Sequence, residues 1–96
     1  MKINLQTLKF KAKDELDNFV TEKVSKLERF DDKIISADVT LSIDGDIPEN
    51  KVCEIRLIVP GYDDFVKKNA ATFEEAISSS VETLQKILRR KKEKAS

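Results

Sequence analysis

The sequence predicts an α/β (α+β) two-layer sandwich: a four-stranded mixed sheet with two helices on one of its faces. Short stretches alternate apolar and polar residues, and two longer ones repeat apolar residues every three or four positions. Their order along the chain is β-α-β-β-β-α. Strands with one apolar face and helices with one apolar stripe bury those surfaces against each other, which leaves the second sheet face largely solvated.

Ile3, Leu5, Leu8 and Phe10 mark a first strand over residues 2–10, with a bulge near Thr7 and Leu8. From Asp14 the period changes. Leu16, Phe19, Val20, Val24, Leu27 and Phe30 keep helical spacing, and Asp14, Glu15 and Asp17 sit where the helix dipole favours acids. Asp31 and Asp32 end this first helix. Ala37, Val39, Leu41 and Ile43 alternate as a second strand with one buried face, and the loop GDIPENK, residues 45–51, leads to Cys53, Ile55, Leu57 and Val59 as a third. These two pair as an antiparallel hairpin. Pro60-Gly61 is a tight-turn signal, after which Tyr62 to Ala70 returns as a fourth strand. Thr72 and Glu75 form a T-x-x-E capping box before a final helix whose apolar stripe is Phe73, Ala76, Ile77, Val81, Leu84 and Leu88. The 96 residues make one domain, with residues 93–96 as a fraying tail.

Charge is segregated along the chain although the formal total is zero. Residues 1–33 carry +1, residues 34–82 carry −6 and residues 83–96 carry +5. Such separation creates a local potential that the total conceals. The opening MKINLQTLKF lacks the apolar core of a signal peptide, and no run approaches the roughly 18 residues of a membrane span. A cytoplasmic protein without membrane contact is expected.

The chain has no histidine, which removes imidazole bases and His metal ligands. Its one cysteine, Cys53, falls on the inward register of the third strand and reads as a small buried hydrophobe. The acidic pairs Asp31-Asp32 and Asp63-Asp64 and the run Asp44 to Asp46 lie at element ends, where solvated acids are ordinary. With only Gly45 and Gly61, no glycine-rich phosphate loop is available. An enzyme, a metal site, a cofactor and a small-molecule substrate are therefore not expected.

The candidate site is basic. Six of the nine positions from 86 to 94 are Lys or Arg: Lys86, Arg89, Arg90, Lys91, Lys92 and Lys94. With Lys86 at zero on a wheel of about 100° per residue, the apolar stripe spans about 80° to 220°, Arg90 lies near 40°, Lys94 near 80° and Arg89 near 300°. Cations at a helix C-terminus favour the dipole, and Glu82 with Lys86 is an ordinary pair one turn apart, but these effects account for two or three cations, not six. In the first helix Lys23 falls inside the apolar arc, either snorkelling over the sheet edge or serving a partner, and Lys26 and Arg29 flank the same face. Side by side, the two helices would offer one basic surface to a run of phosphates.

At these residues the sequence resembles a known family. Phe19 to Ile34, FVTEKVSKLERFDDKI, resembles the first-helix segment of the ribosome hibernation promoting factors, also called ribosome-associated inhibitor or protein Y, with its F-V-x-x-K-x-x-K-L-E-x-[YF] pattern. FEEAI, the L-x-x-x-L that follows and the basic residues to Lys94 resemble the family's second helix, and chain length matches the short form. The resemblance implies a fold similar to a double-stranded RNA-binding domain. It also implies a single ribosome-binding domain, monomeric when free, on the small ribosomal subunit and its ribosomal RNA near the decoding centre. There it would block transfer-RNA and messenger-RNA sites and silence translation in stationary phase or stress. The family's RNA contacts carry over to Lys23, Lys26, Arg29, Lys86, Arg90, Lys92 and Lys94, while Arg89 and Lys91 are added from charge alone. Thr83, Ser78 and Glu74 depart from the family pattern, standing where basic, aspartate and aromatic residues are common. The alternatives are a structured-RNA-binding module without preference for ribosomes, and a protein-interaction adaptor that uses the acidic middle segment.

Overall fold

The computed structural model describes residues 1–95 and has the element order β1 (Lys2–Thr7), α1 (Asp14–Ser25), a 3₁₀ helix (Lys26–Arg29), β2 (Ser36–Ile43), β3 (Lys51–Val59), β4 (Tyr62–Ala70) and α2 (Phe73–Ala95). Strand order in the sheet is β1-β2-β3-β4. β1 runs parallel to β2 in the register Ile3↔Ala37 and Leu5↔Val39, and the other two pairings are antiparallel, Val39↔Ile55 and Ile55↔Val66 among them. The predicted mixed sheet with two helices is the fold observed.

Two boundaries differ from the sequence expectation. β1 stops at Thr7 instead of bulging onward to residue 10. The Leu8 N–H still donates to the Leu41 carbonyl at 3.0 Å, but Lys9 turns the chain with a φ of 68°, and the Thr7 hydroxyl donates to the Phe10 carbonyl at 2.8 Å. The first helix does not continue as an α-helix to Phe30. After Ser25 it tightens into the 3₁₀ helix, which closes with Phe30 N–H donating to the Leu27 carbonyl at 3.0 Å. α2 runs to Ala95, and Ser96, the last residue of the tail expected over 93–96, lies outside the described residues.

Local chemistry accounts for the turns that hold. Proline fixes φ at the first central position of the β3–β4 turn, and Gly61 takes the second at φ +89°, a region that side-chain-bearing residues avoid. The Thr72 hydroxyl accepts the Glu75 N–H at 3.1 Å, capping α2 as the T-x-x-E spacing predicts.

One contiguous core lies between the sheet and the helices. Val20, Val24 and Leu27 enter it from the first helical segment, Ala37, Val39 and Leu41 from β2, Cys53, Ile55 and Leu57 from β3, and Ile77, Val81 and Leu84 from α2, all buried. The opposite face is open. Across its middle row the Asn4 amide donates to Asp38 at 2.8 Å, and the Arg56 guanidinium lies 4.9 Å from the ring of half-exposed Phe65. Val52 is the exception, buried although its register places it on this outer face.

Topology fixes the helix directions. α1 links the parallel strands β1 and β2, so it runs against both; β4 is parallel to β2 by two antiparallel steps, and α2 returns against β4. The two helices therefore lie side by side and point their C-termini to the same end of the molecule. The β3–β4 turn is at that end too, whereas the acidic β2–β3 loop is at the other.

Candidate nucleic-acid interface

The long, capped α2 is the scaffold of the site. Its apolar stripe is anchored by Ala76, Ile77, Val81, Leu84 and Leu88, and Phe73 stacks on Phe10 at 4.8 Å between centroids. Because this stripe fixes the rotation of the helix, the remaining positions are aimed by default. Lys86, Arg90 and Lys94, spaced one turn apart, are exposed on the flank that turns away from α1. Lys86 approaches Glu82 at 3.6 Å, with both side chains more than half exposed, a contact of negligible energetic weight. Arg89 and Lys92 are exposed on the opposite flank, toward α1.

The first helical segment contributes less free charge. Lys23 is half-buried and its ammonium sits 5.5 Å from the Phe19 ring centroid, which explains how a lysine occupies a largely apolar arc. Lys26 is half-buried and Arg29 exposed. Arg89 joins the two elements, its guanidinium 5.8 Å from the ring of Phe30 just past the 3₁₀ helix.

These residues form no single stripe. Arg29, Lys91 and Lys92 converge on a cleft of about 710 Å³ at the common C-terminal end of the helices, also lined by Glu28, Phe30, Asp31, Asp32, Lys33, Val59, Pro60, Tyr62 and Leu88. Two of its acids are already engaged. Glu28 approaches the N-terminal amine at 3.2 Å, and Asp31 accepts the Lys33 backbone N–H at 2.9 Å. Lys86, Arg90 and Lys94 stand outside the cleft on the far flank of α2, and Lys23 lies about one turn up the first helix from Lys26.

Lys91 differs from the other cations. Its ammonium donates to Asp64 Oδ1 at 2.6 Å and lies 3.7 Å from the Tyr62 ring centroid, so α2 is clasped to β4. The Asp64 side chain is only 10% exposed, and its Oδ2 has no hydrogen-bond partner. Tyr62, Phe30 and Lys33 are not candidates on sequence grounds, and Asp64, read there as a solvated acid at an element end, is instead buried and paired with α2. The signal for the clasp was present: on the helical wheel Lys91 falls near 140°, in the middle of the apolar arc, where an unpaired lysine has no place.

Cys53 is fully buried, and desolvation pushes its thiol up from about 9 to about 11, opposed by a hydrogen bond with Ser80 and assisted by the Glu54 carboxylate. A neutral, inaccessible thiol is no nucleophile. Because the folded protein holds this proton more tightly than the unfolded chain, the associated stability is fully present below pH 9 and is lost as pH rises toward 11. Urea titrations should therefore show the wild type losing on the order of 2 kcal/mol more than Cys53→Ala across that window. Equal losses would refute the assignment.

Among the described residues there is no group of three or more His, Cys, Asp or Glu placed to hold a metal ion, and no helix long and apolar enough to cross a membrane.

The profile of one protein family, described as sigma 54 modulation protein / S30EA ribosomal protein, matches residues 3–96. No curated protein matches the chain. Among solved structures, the crystal structure of the Thermus thermophilus Protein Y N-terminal domain is 27% identical, covers 94% of this chain and 98% of its own, and superposes with a TM-score of 0.82. A ribosomal subunit interface protein from Coxiella burnetii shares the fold at a TM-score of 0.85, with 16% identity over the whole of both chains.

Proposed function

Because the chain belongs to the sigma 54 modulation protein / S30EA ribosomal protein family, we propose that it is a ribosome hibernation factor. It binds the small ribosomal subunit near the decoding centre, occupies transfer-RNA and messenger-RNA sites, and inhibits translation in stationary phase or stress. It acts in the cytoplasm as a single ribosome-binding domain, monomeric when free, with neither cofactor nor small-molecule substrate. The names of the similar structures, Protein Y and a ribosomal subunit interface protein, agree with this reading.

The observation that carries it is the convergence of two helix C-termini bearing Lys26, Arg29, Arg89, Arg90, Lys92 and Lys94 at one end of a neutral protein. Helix C-termini carry partial negative charge, so this density of cations exceeds what the dipoles require and suits a polyanion. Inhibition is by occupancy of the sites that the bound protein covers. Lys23, Lys26, Arg29, Lys86, Arg89, Arg90, Lys92 and Lys94 contact ribosomal RNA phosphates; Lys91 serves the clasp first and reaches RNA only from the cleft.

The test is co-sedimentation with purified small subunits across a salt series. Neutralising about eight phosphates predicts an affinity loss of roughly 10³- to 10⁴-fold between 50 and 200 mM salt. Binding that ignores salt, or that survives complete ribonuclease digestion of the subunit RNA, would favour a protein adaptor instead. Binding to any structured RNA as tightly as to subunits would favour an RNA module without ribosome preference.

A further inference from the structure

The cleft at the basic end is built for more than a phosphate. A backbone grip needs only cations, and the exposed row Lys86, Arg90 and Lys94 supplies one without it. The cleft's lining instead combines apolar Val59, Pro60 and Leu88 with rings from two separate segments, Phe30 and Tyr62, and its four cations outnumber its acids Glu28, Asp31 and Asp32. Each ring already carries a cation, Arg89 over Phe30 at 5.8 Å and Lys91 over Tyr62 at 3.7 Å. Its volume of about 710 Å³ lies in the range of small-ligand sites.

Lys91 is fixed in place. An ammonium has three N–H donors; here Asp64 takes one and the Tyr62 ring face holds the group from another side. A further donor remains, on a side chain that lines the cleft and is 41% exposed. A donor immobilised in advance lowers the ordering cost of binding an anion. Aromatic and apolar lining residues and a fixed cation beside Arg29 and Lys92 match the two halves of a nucleotide, a π-faced base and a phosphate.

We propose that the cleft takes one unpaired nucleotide of the bound RNA, its base among the lining rings Phe30 and Tyr62 and its phosphate at Lys91 and Lys92. The nucleotide must be unpaired because a base stacked in a duplex cannot enter a cavity. The proposal rests on the ribosome-binding reading and deepens it: the far flank of α2 grips backbone, and the cleft selects a position where a single base is free.

Two measurements test it. In the first, the isotope-labelled full chain is titrated with adenosine monophosphate and, separately, with inorganic phosphate. Saturable amide shifts at residues 29–33, 60–62 and 88–92, stronger with the nucleotide and abolished in Tyr62→Leu, support the cleft. Equal shifts with both probes, or shifts confined to the Lys86 flank, overturn it. In the second, Phe30→Leu and Tyr62→Leu, checked for an unchanged fold, are bound to small subunits across a salt series. Stacking contributions predict affinity roughly 5- to 100-fold lower with an unchanged salt slope. Wild-type affinity in both variants overturns the cleft while leaving the ribosome reading standing. A wild-type chain that ignores subunits yet passes the nucleotide titration overturns the ribosome reading and leaves the cleft as a nucleotide site.

Discussion

Reversing two charges, Arg90→Glu with Lys94→Glu, is expected to abolish measurable co-sedimentation with small subunits at physiological salt. Both side chains are exposed on the far flank of α2, so the substitution acts chiefly on the approaching phosphates. Each reversal removes one cation–phosphate attraction and adds a repulsion, and fewer counterions are released for each phosphate left unneutralised, which makes the salt slope shallower by nearly one apiece. Together these predict at least a 100-fold loss near 0.15 M salt and a slope shallower by about two. Stability should fall far less, by about 0.3–1 kcal/mol per residue, because only favourable helix-dipole interactions are reversed. Circular dichroism should be unchanged. Lys86→Glu should act more weakly, since Glu82 at 3.6 Å already offsets part of its charge. A folded double variant that still travels with subunits would remove the phosphate grip from α2.

The largest stability effect is expected at a neighbouring cation of the same helix. Lys91→Met keeps an unbranched side chain but deletes the charge, leaving the buried Asp64 carboxylate with neither oxygen partnered. Removing one member of a buried pair costs several kcal/mol; because the Lys91 side chain is 41% exposed, about 2–3 kcal/mol is the reasonable expectation. The urea midpoint should drop with an unchanged slope. Adding Asp64→Leu should restore most of the loss, since an apolar pair in this position forgoes desolvating a charge. If Lys91→Met proved neutral, or the second substitution failed to rescue it, the clasp would not be holding α2 to the sheet.

The contrast between these adjacent residues shows what sequence pattern reveals. Whereas β4 was legible only from the Pro60-Gly61 turn before it, periodicity carried five of the six regular elements, because burial on one face is a property of each segment alone. It missed the 3₁₀ ending of the first helix, since Leu27 and Phe30 satisfy both helical geometries. It missed the end of β1 because Leu8 and Phe10 continue an apolar rhythm after Lys9 has turned the chain. For the site, charge density located the right end of α2 but could not sort its cations. Lys91 faces inward because Asp64 is waiting on β4, a pairing between residues 27 positions apart that depends on sheet register and helix placement together. The cleft was invisible for the same reason: its walls come from three segments that meet only at the common end of both helices and the β3–β4 turn.

Sheet order that follows chain order also has a kinetic side. β2, β3 and β4 are joined by short connections and each closes on its successor, so they can form as a meander with little loop-closure entropy. β1 must wait for the whole α1 crossover before it meets β2, and once there it has one neighbour only. It is therefore expected to lock after the β2–β4 meander and to open early, which amide hydrogen exchange along β1 would read. The cleft and the outer flank of α2 draw none of their residues from β1, but the N-terminal amine holds cleft-lining Glu28 at 3.2 Å, so such an opening would expose part of the core and release that acid at the RNA-facing end.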